Sequence, residues 1–191
     1  MKEPNLAIFA SGSGTNAEEI FKYFKGHSSI SVKGLLTNNP QAQVLKRAVR
    51  NNIPCHIFNR EEFTNENQIL STLQEWNIDA IILAGFLWLI PEYLIDRYQN
   101  RILNIHPALL PQFGGKGMYG MRVHQAVLDS GQKESGITIH LVNKHYDKGR
   151  IIFQKRCTID PQDTPDTLAG KIHDLEHRFY PQVIEHWLSK E

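Results

Sequence analysis

The sequence predicts an α/β fold, a Rossmann-like open twisted sheet of mostly parallel strands with helices on both faces. Strand-length apolar runs alternate with segments of helical periodicity, which is typical of parallel strands joined by right-handed crossovers. The first run, residues 6–10, is continuously apolar, as in a strand that is covered on both faces. A glycine-rich turn and a helix follow it at once, and this is the opening of a nucleotide-binding βα unit.

The first half of the chain is predicted to alternate strictly between strand and helix. A helix over residues 17–25 is indicated by Ile20, Phe21 and Phe24, which share one face. A helix over residues 61–76 begins with an acidic turn, as its dipole favours. The other predicted elements of this half are helices at residues 41–51 and 91–98 and strands at residues 30–36, 54–58 and 79–85, the last of them central.

The second half is predicted to begin with a strand at residues 101–105. A glycine-rich loop of residues 112–120 follows, and it is expected to be mobile or tightly turned. The last helix, residues 167–189, has Thr164 as a candidate cap and contains Pro181, which we expect to kink or restart it. The remaining predicted elements are a helix at residues 121–130 and strands at residues 136–142 and 151–159.

Length and composition predict one globular domain. The chain has 191 residues, of which 41% are hydrophobic and 21% charged, and this is ordinary for a protein in water. The formal net charge of +1 gives no indication of a nucleic-acid or membrane partner. The longest apolar run, residues 80–90, is too short to cross a bilayer, and the polar start does not suggest a signal peptide. We therefore expect a cytoplasmic protein in which Cys55 and Cys157 are reduced core residues.

The turn Ser11-Gly12-Ser13-Gly14-Thr15-Asn16 is a candidate phosphate site. Its glycines allow a close approach of the backbone to a phosphate, and the following helix offers free N–H groups and the positive end of its dipole. The turn lacks the third glycine of a dinucleotide-binding motif and the Gly-Lys of a P-loop. From spacing alone, a plain turn in which Thr15 or Asn16 caps the helix is an equal alternative.

Asn104 and His106 are a candidate catalytic pair. They lie two residues apart at the end of a predicted strand, so their side chains point to the same face, and Pro107 keeps His106 out of the helical region. An amide that can donate to a developing oxyanion, beside an imidazole that can move a proton, suits acyl-group transfer. The alternative is that Asn104 and His106 are only capping or turn residues. The two prolines that flank Ala108-Leu109-Leu110, however, favour a loop that is pre-organised for a site.

The segment Asn104-Ile105-His106-Pro107-Ala108-Leu109-Leu110-Pro111 resembles the signature Asn-Ile-His-Pro-Ser-Leu-Leu-Pro of the folate-dependent formyltransferases. The glycine turn, an Ile-Ile-Phe-Gln strand after Asp147-Lys148-Gly149, and Glu176-His177 before Tyr180-Pro181 are also similar to that family. The resemblance runs from Ser11 to Pro181. It implies transfer of a formyl group from N10 of 10-formyltetrahydrofolate to the amine of 5'-phosphoribosylglycinamide in purine biosynthesis. It also implies a cis peptide at Leu110–Pro111.

The resemblance further implies which residues act. Asn104, His106 and Asp147 would be catalytic, with Asp147 near His106 and raising its pKa so that the imidazole is charged. The substrate and its phosphate would be bound by Gly12, Ser13, Gly14, Thr15, Asn16 and Glu176. The folate would be bound by Phe86, Leu87, Trp88, Leu89, Ile90 and Asn104. Residues 1–191 would be a single formyltransferase domain, with residues 1–100 as the phosphate-binding half and residues 101–191 as the catalytic and folate-binding half.

Three positions depart from the family, and the first is Ala108, which stands where the signature has a serine. Trp88 stands where the family has an arginine, and Glu66 lies near the place of another folate-contacting arginine. A flat aromatic side chain can stack on a ligand ring, so Trp88 is compatible with folate. From the residues alone, Phe86 and Leu89 are interpreted as core, Lys116 as solvated, and Glu176 as a solvated carboxylate on an amphipathic helix.

The histidines leave several alternatives open. His124 can face the site or simply pack, and His140 is interpreted as structural. His173 and His177 lie one helical turn apart, but no third ligand is spaced with them, so we expect no metal. We expect the partners to be small molecules, with no nucleic acid and no membrane. We expect the chain to be a monomer or a weak homodimer. Another enzyme that uses formyltetrahydrofolate, such as a hydrolase or another N-formyltransferase, and a non-catalytic nucleotide-binding module are the alternatives.

Overall fold

A seven-stranded sheet organises the chain in the computed structural model, which describes residues 3–190. The strands follow the order β3-β2-β1-β4-β5-β6-β7, in which the first five are parallel and β6 and β7 are antiparallel additions. The predicted mostly parallel α/β sheet, with its fourth strand in the centre, is therefore confirmed. The strands are β1 (Asn5–Phe9), β2 (Ser31–Thr37), β3 (Cys55–Ile57), β4 (Ala80–Leu83), β5 (Ile102–His106), β6 (Glu134–Leu141) and β7 (Ile151–Thr158).

Helices cover both faces of the sheet because its central strands are apolar on both sides. In β1, Leu6 and Ile8 belong to one buried cluster, while Ala7 and Phe9 belong to another. The first cluster packs under α1 (Thr15–Phe24), α2 (Val44–Arg50), α6 (Met121–Asp129) and α7 (Pro165–Ser189). The second packs under α3 (Arg60–Thr64), α4 (Glu66–Glu75) and α5 (Glu92–Arg97).

The order of the strands creates a crevice between β1 and β4. The chain runs outward from β1 through β2 to β3 and then returns to place β4 on the other side of β1. Loops that leave the carboxyl ends of β1 and β4 therefore diverge, and ligands of open α/β sheets bind at such a point. The two loops are joined where the Ser11 N–H donates to the Gly85 carbonyl at 3.1 Å.

Three expectations from the sequence were wrong in detail. The helix predicted at residues 61–76 is two helices, because Asn65 is extended (φ −88°, ψ 109°) and its side chain accepts from the Asn67 N–H as a new N-cap. Helix α7 begins at a capping box on Thr164 and continues through Pro181, so the alternative in which the helix restarts there is wrong, while a kink at Pro181 stays a prediction. Cys55 is exposed and Cys157 is half-buried, so neither is a core residue. In the part of the chain that the structure describes, no helix is both long and apolar enough to span a bilayer.

Candidate active site

A cleft of about 600 Å³ lies at the carboxyl ends of β1, β4 and β5. The loops after these strands form its walls, and the β6–β7 loop and α7 close it. Every residue that the sequence suggested for the site lines this cleft: Gly12, Ser13, Gly14, Thr15, Asn16, Phe86, Leu87, Trp88, Leu89, Ile90, Asn104, His106, Asp147 and Glu176. The structure therefore brings together residues from both halves of the chain.

The glycine turn is fixed by its neighbours and leaves the start of α1 open. Gly14 is the N-cap at φ +73°, and no side chain caps the helix, so the alternative in which Thr15 or Asn16 caps it is wrong. A Cβ at Gly14 would lie 2.2 Å from Val44 Cγ2, so only glycine fits. The Val44 N–H donates to the Gly12 carbonyl at 3.2 Å, and Arg47 Nε donates to the Ser13 carbonyl at 2.8 Å. The first N–H groups of α1 therefore face the cleft in a pre-formed turn.

Glu176 reaches this turn from the other end of the chain. It is 5% exposed, so the interpretation as a solvated carboxylate was wrong. Asn16 Nδ2 donates to Glu176 Oε2 at 2.8 Å, while Asn16 Oδ1 is buried and has no partner among the described residues. Burial raises the pKa of Glu176 to about 7, against the opposing effect of the Asn16 hydrogen bond. The pair offers polar groups to a ligand beside the glycine turn.

His106 and Asp147 meet in the cleft as predicted. His106 Nδ1 lies 3.6 Å from Asp147 Oδ2, and both side chains are largely buried. The Gly115 N–H donates to Asp147 Oδ2 at 2.9 Å, and this bond holds the glycine-rich loop against the carboxylate. His106 Nε2 lies 2.8 Å from the Phe113 carbonyl. Since a carbonyl only accepts, Nε2 carries a proton, and in the neutral ring Nδ1 is the free acceptor.

The predicted direction of the His106 pKa shift was wrong. Asp147 does favour the imidazolium, but the pKa of His106 lies below its ordinary value of 6.5, because burial disfavours the charged ring more strongly. The pKa of Asp147 is lowered by hydrogen bonds and by the charges of the nearby histidines, which together outweigh its own burial. The resting pair is therefore a neutral imidazole beside a carboxylate.

His140 belongs to the site, although the sequence suggested a structural residue. It is the direct partner of Asn104 across the β5–β6 ladder, and its Nε2 lies 3.1 Å from Asn104 Nδ2. Its Nδ1 donates to the Leu141 carbonyl at 2.9 Å, so in the neutral ring Nε2 accepts one hydrogen of the Asn104 amide. The second amide hydrogen remains free to point into the cleft. His140 Nε2 also lies 3.5 Å from Asp147 Oδ1.

A buried hydroxyl holds the loop that follows His106. Thr138 Oγ1 donates to the Ala108 carbonyl at 2.7 Å and accepts from the Leu110 N–H at 3.0 Å. Gln154 Nε2 lies 2.9 Å from both Thr138 Oγ1 and the Leu110 carbonyl. The Leu110–Pro111 peptide is cis, which confirms the expectation. The backbone after Asn104 and His106 is therefore fixed by β6 and β7.

The chain is similar to known proteins over most of its length. The sequence profile of formyl transferases matches residues 4–184. The chain belongs to the formyl transferase family. A phosphoribosylglycinamide formyltransferase of Bacillus subtilis (strain 168) is 38% identical over 189 residues, which cover 96% of this chain and 94% of that protein. A chloroplastic phosphoribosylglycinamide formyltransferase of Arabidopsis thaliana is 41% identical over 192 residues, but the chain spans only 65% of its length.

Solved structures give the same assignment of fold. The crystal structure of a phosphoribosylglycinamide formyltransferase from Bacillus halodurans matches with a TM-score of 0.88 at 38% identity, and the match covers 97% of this chain and 96% of that one. The α/β architecture, including the mostly parallel sheet, is therefore that of the formyl transferase family.

In this formyl transferase, the β4 loop forms an aromatic and apolar wall. Phe86 is partly buried and packs at 5.5 Å from the Phe9 ring, as expected of a core residue. Leu87 and Leu89 are 48% and 41% exposed, so the interpretation of Leu89 as core was wrong. Trp88 lines the cleft and is half-buried. A flat ligand can therefore contact this wall from the open side of the cleft.

Other histidines and cations of the formyl transferase also reach the cleft. His124 is 2% exposed, its Nδ1 has no partner among the described residues, and burial lowers its pKa to about 4. It is therefore a neutral imidazole that lines the cleft, which resolves the alternative that the sequence left open. His173, Lys116 and Arg122 also line the cleft. Over residues 3–190, no group of three or more His, Cys, Asp or Glu side chains is arranged to hold a metal ion.

Proposed function

We propose that the chain transfers the formyl group of 10-formyltetrahydrofolate to the amine of 5'-phosphoribosylglycinamide, a step of purine biosynthesis. The observation that carries the proposal is the convergence of Asn104, His106 and Asp147 in a cleft that also contains the open N-terminus of α1. The end of the cleft at α1 can bind a phosphate. The side chains at the centre of the cleft can stabilise an oxyanion and move a proton. The name that the Bacillus subtilis and Arabidopsis relatives share supports this substrate pair.

The phosphate of the substrate binds at the glycine turn, through backbone N–H groups of residues 12–16. The turn is held from behind by Val44 and Arg47, so it is formed before the ligand arrives. Asn16 and Glu176 then contact the ribose or the amine side of the substrate. Glu176 comes from α7, so substrate binding draws on both the proposed phosphate-binding half, residues 1–100, and the proposed catalytic half, residues 101–191.

The chemistry follows from the hydrogen-bond roles of the site. The neutral glycinamide amine attacks the formyl carbon, a C–N bond forms, and the carbonyl electron pair moves to oxygen. Asn104 donates its free amide hydrogen to this oxyanion, while His140 holds the other hydrogen. Nδ1 of neutral His106 takes the proton of the attacking nitrogen and becomes imidazolium beside Asp147. It returns this proton to N10 as the C–N10 bond breaks and the carbonyl forms again.

The lowered pKa of His106 supports this direction of proton flow. A histidine that rests neutral is a base at the moment of attack and an acid only after it has gained a proton. Asp147 has the role of stabilising the imidazolium while it exists, and this role needs no protonation of Asp147 itself. The expectation of a His106 that is charged before the reaction is replaced by a His106 that is neutral at rest and charged only during it.

The folate occupies the wall formed by Phe86, Leu87, Trp88, Leu89 and Ile90 and reaches Asn104 with its formyl group. Exposed apolar side chains on this wall provide contact area for a flat ring. The folate is a co-substrate, and the proposal includes no metal. We also propose a cytoplasmic location and a monomer or weak homodimer, and sedimentation velocity measures the second of these.

A transfer assay tests the proposal. The protein is incubated with phosphoribosylglycinamide and 10-formyltetrahydrofolate that carries an isotope label in the formyl group, and the label is followed into the glycinamide product. Asn104→Ala is the matched control, because it removes the oxyanion donor at the cleft surface. Release of the label as formate would identify a hydrolase, and binding of either molecule without turnover would identify a non-catalytic module.

A further inference from the structure

The side chain of Tyr180 joins the central strands β4 and β5 where they reach the cleft. Tyr180 lies in α7 and is 0% exposed. Its hydroxyl donates to the Leu83 carbonyl at 2.9 Å and to the Leu103 carbonyl at 3.1 Å, so its single hydrogen is shared between the two strands. Burial raises the pKa of Tyr180 well above its ordinary value, so the hydroxyl keeps this hydrogen. One helix therefore holds two neighbouring strands together through a main-chain group of each.

The two carbonyls lie next to the proposed oxyanion donor, Asn104. Leu103 directly precedes Asn104 in β5, and Leu83 is the partner of Asn104 in the β4–β5 ladder. Leu83 is also the last residue of β4, so it leads into the loop that forms the apolar wall of the cleft. On the other side of β5, His140 lies 3.1 Å from the Asn104 amide. The Asn104 side chain is therefore held from β6, while Tyr180 holds the backbone from which it extends.

We propose that Tyr180 is a positioning residue for formyl transfer, because its hydroxyl sets the position of Asn104 relative to the formyl donor on the β4 wall. This inference rests on the proposed function, in which Asn104 donates to the oxyanion. Asn104 belongs to β5, whereas the proposed wall follows β4, so the alignment of the two depends on how these strands are held together. Chemical steps of this kind are sensitive to placement, since a displacement of about 1 Å can lower a rate by about 10²-fold.

The positioning role of the Tyr180 hydroxyl can be separated from the packing of its ring. The ring belongs to the apolar cluster under α1, α2, α6 and α7, and phenylalanine keeps this ring while it removes the hydroxyl. Tyr98 offers the matched control, because its side chain is also buried and its hydroxyl donates to the Ile78 carbonyl at 3.4 Å. Ile78 precedes β4, at the end of the sheet away from the cleft. Tyr98→Phe therefore removes a buried hydroxyl near the same strand without a change at the cleft.

Kinetics of the full chain with phosphoribosylglycinamide and 10-formyltetrahydrofolate test the inference. Tyr180→Phe should lower kcat about 10- to 100-fold and leave both KM values within about 2-fold of the wild type. Tyr98→Phe should leave kcat unchanged. In the presence of Asn104→Ala, measured in single turnovers, Tyr180→Phe should lower the rate no further, because the residue that it positions is absent. Replacement of Tyr180 by p-aminophenylalanine, whose amine can donate to both carbonyls, should restore most of the wild-type kcat.

The side-chain amide of Asn104 reports its position without turnover. In NMR spectra of nitrogen-labelled protein, its signal is identified by its loss in Asn104→Ala. This signal should shift in Tyr180→Phe and should stay in place in Tyr98→Phe, because the second variant leaves the cleft end of β4 and β5 intact.

The possible outcomes separate the two proposals. An unchanged kcat or an unshifted Asn104 amide in Tyr180→Phe overturns the positioning role, as does an equal loss of rate with and without Asn104, or the same loss in Tyr98→Phe. If circular dichroism shows that Tyr180→Phe does not fold, the p-aminophenylalanine variant tests the role, and a native fold with strongly reduced kcat overturns it. Failure of the wild type to transfer the formyl group overturns the proposed function, and the amide shift then still tests whether Tyr180 positions Asn104.

Discussion

Asp147 Oδ2 lies 3.6 Å from His106 Nδ1, although Asp147 belongs to the β6–β7 loop and His106 to the end of β5. Asp147 has a φ of +54°, a left-handed conformation that is uncommon for a residue other than glycine. The surrounding bonds hold it there, including the one from the Gly115 N–H to its carboxylate. Strained backbone of this kind concentrates at functional sites, where it positions a side chain.

Replacement of Asp147 by asparagine should remove turnover and keep the fold. Asparagine has the same shape but no charge, so the imidazolium of His106 would form without a counter-charge. We expect kcat to fall about 10²-fold or more, because a positioned proton-transfer group contributes roughly 10²- to 10⁴-fold. KM values should change less, since the carboxylate acts mainly in the transition state. Steady-state kinetics and circular dichroism measure the two properties.

Asp96→Asn is the matched control for this experiment. It makes the same chemical change on the exposed face of α5 and should leave kcat and KM unchanged. Near-normal turnover in Asp147→Asn would exclude the aspartate from the mechanism.

The titration of His106 should separate the effect of burial on its pKa from the effect of the Asp147 charge. Its imidazole should titrate below 6.5 in the wild type, because burial lowers its pKa more than Asp147 raises it. In Asp147→Asn the favourable charge is lost while burial remains, so the pKa should fall further. Imidazole nitrogen shifts in NMR spectra, followed against pH, report both values. A higher pKa in the variant would contradict the assigned effect of the carboxylate.

Losses from Asn104 and His106, two of the proposed catalytic residues, should not add. Asn104→Ala and His106→Ala should each reduce kcat strongly, since both residues act on one tetrahedral transition state. In the double variant the fall in rate should be much smaller than the product of the two single losses. A rate that falls by the full product would mean that the residues act independently, contrary to the proposed mechanism.

Gly14→Ala should impair the proposed phosphate site. A methyl group there would lie 2.2 Å from Val44 Cγ2, and the left-handed backbone alone costs a non-glycine residue roughly 1–2 kcal/mol. We expect a lower free energy of unfolding and a weaker affinity for inorganic phosphate, measured by denaturant unfolding and by calorimetry. Gly170→Ala is the control, because its methyl group would meet nothing within 4 Å in α7 and should raise stability by up to about 1 kcal/mol. Wild-type phosphate affinity in Gly14→Ala would exclude this turn as the phosphate site.

The parts of the structure that could be predicted depend on local pattern. Apolar runs located the strands, and the Asn104–His106 spacing located the catalytic strand end, because both are properties of neighbouring residues. The role of His140 could not be predicted, since it depends on the antiparallel register that places it opposite Asn104. The direction of the His106 pKa shift was missed for a related reason: burial is set by elements distant in sequence. The break at Asn65 was the exception, because its capping side chain was a visible local signal.

Glu176 should make stability fall as the pH rises. Its pKa is about 7 in the folded protein and 4.5 is its ordinary value, so the folded state keeps a proton that the unfolded state has already released. This contribution is fully present below pH 4.5 and is lost as the pH rises toward and through 7, by about 3 kcal/mol in all. The glutamine of Glu176→Gln is neutral at every pH, so the variant has no such pH-dependent contribution to lose. We expect the unfolding free energy of the variant minus that of the wild type, measured in urea from pH 4.5 to 8, to increase up to about pH 7 and then to stay constant.

Glu75→Gln, which changes an exposed carboxylate of α4, should show no such trend. If the difference for Glu176→Gln is constant at every pH, the buried carboxyl is ionised across the whole range.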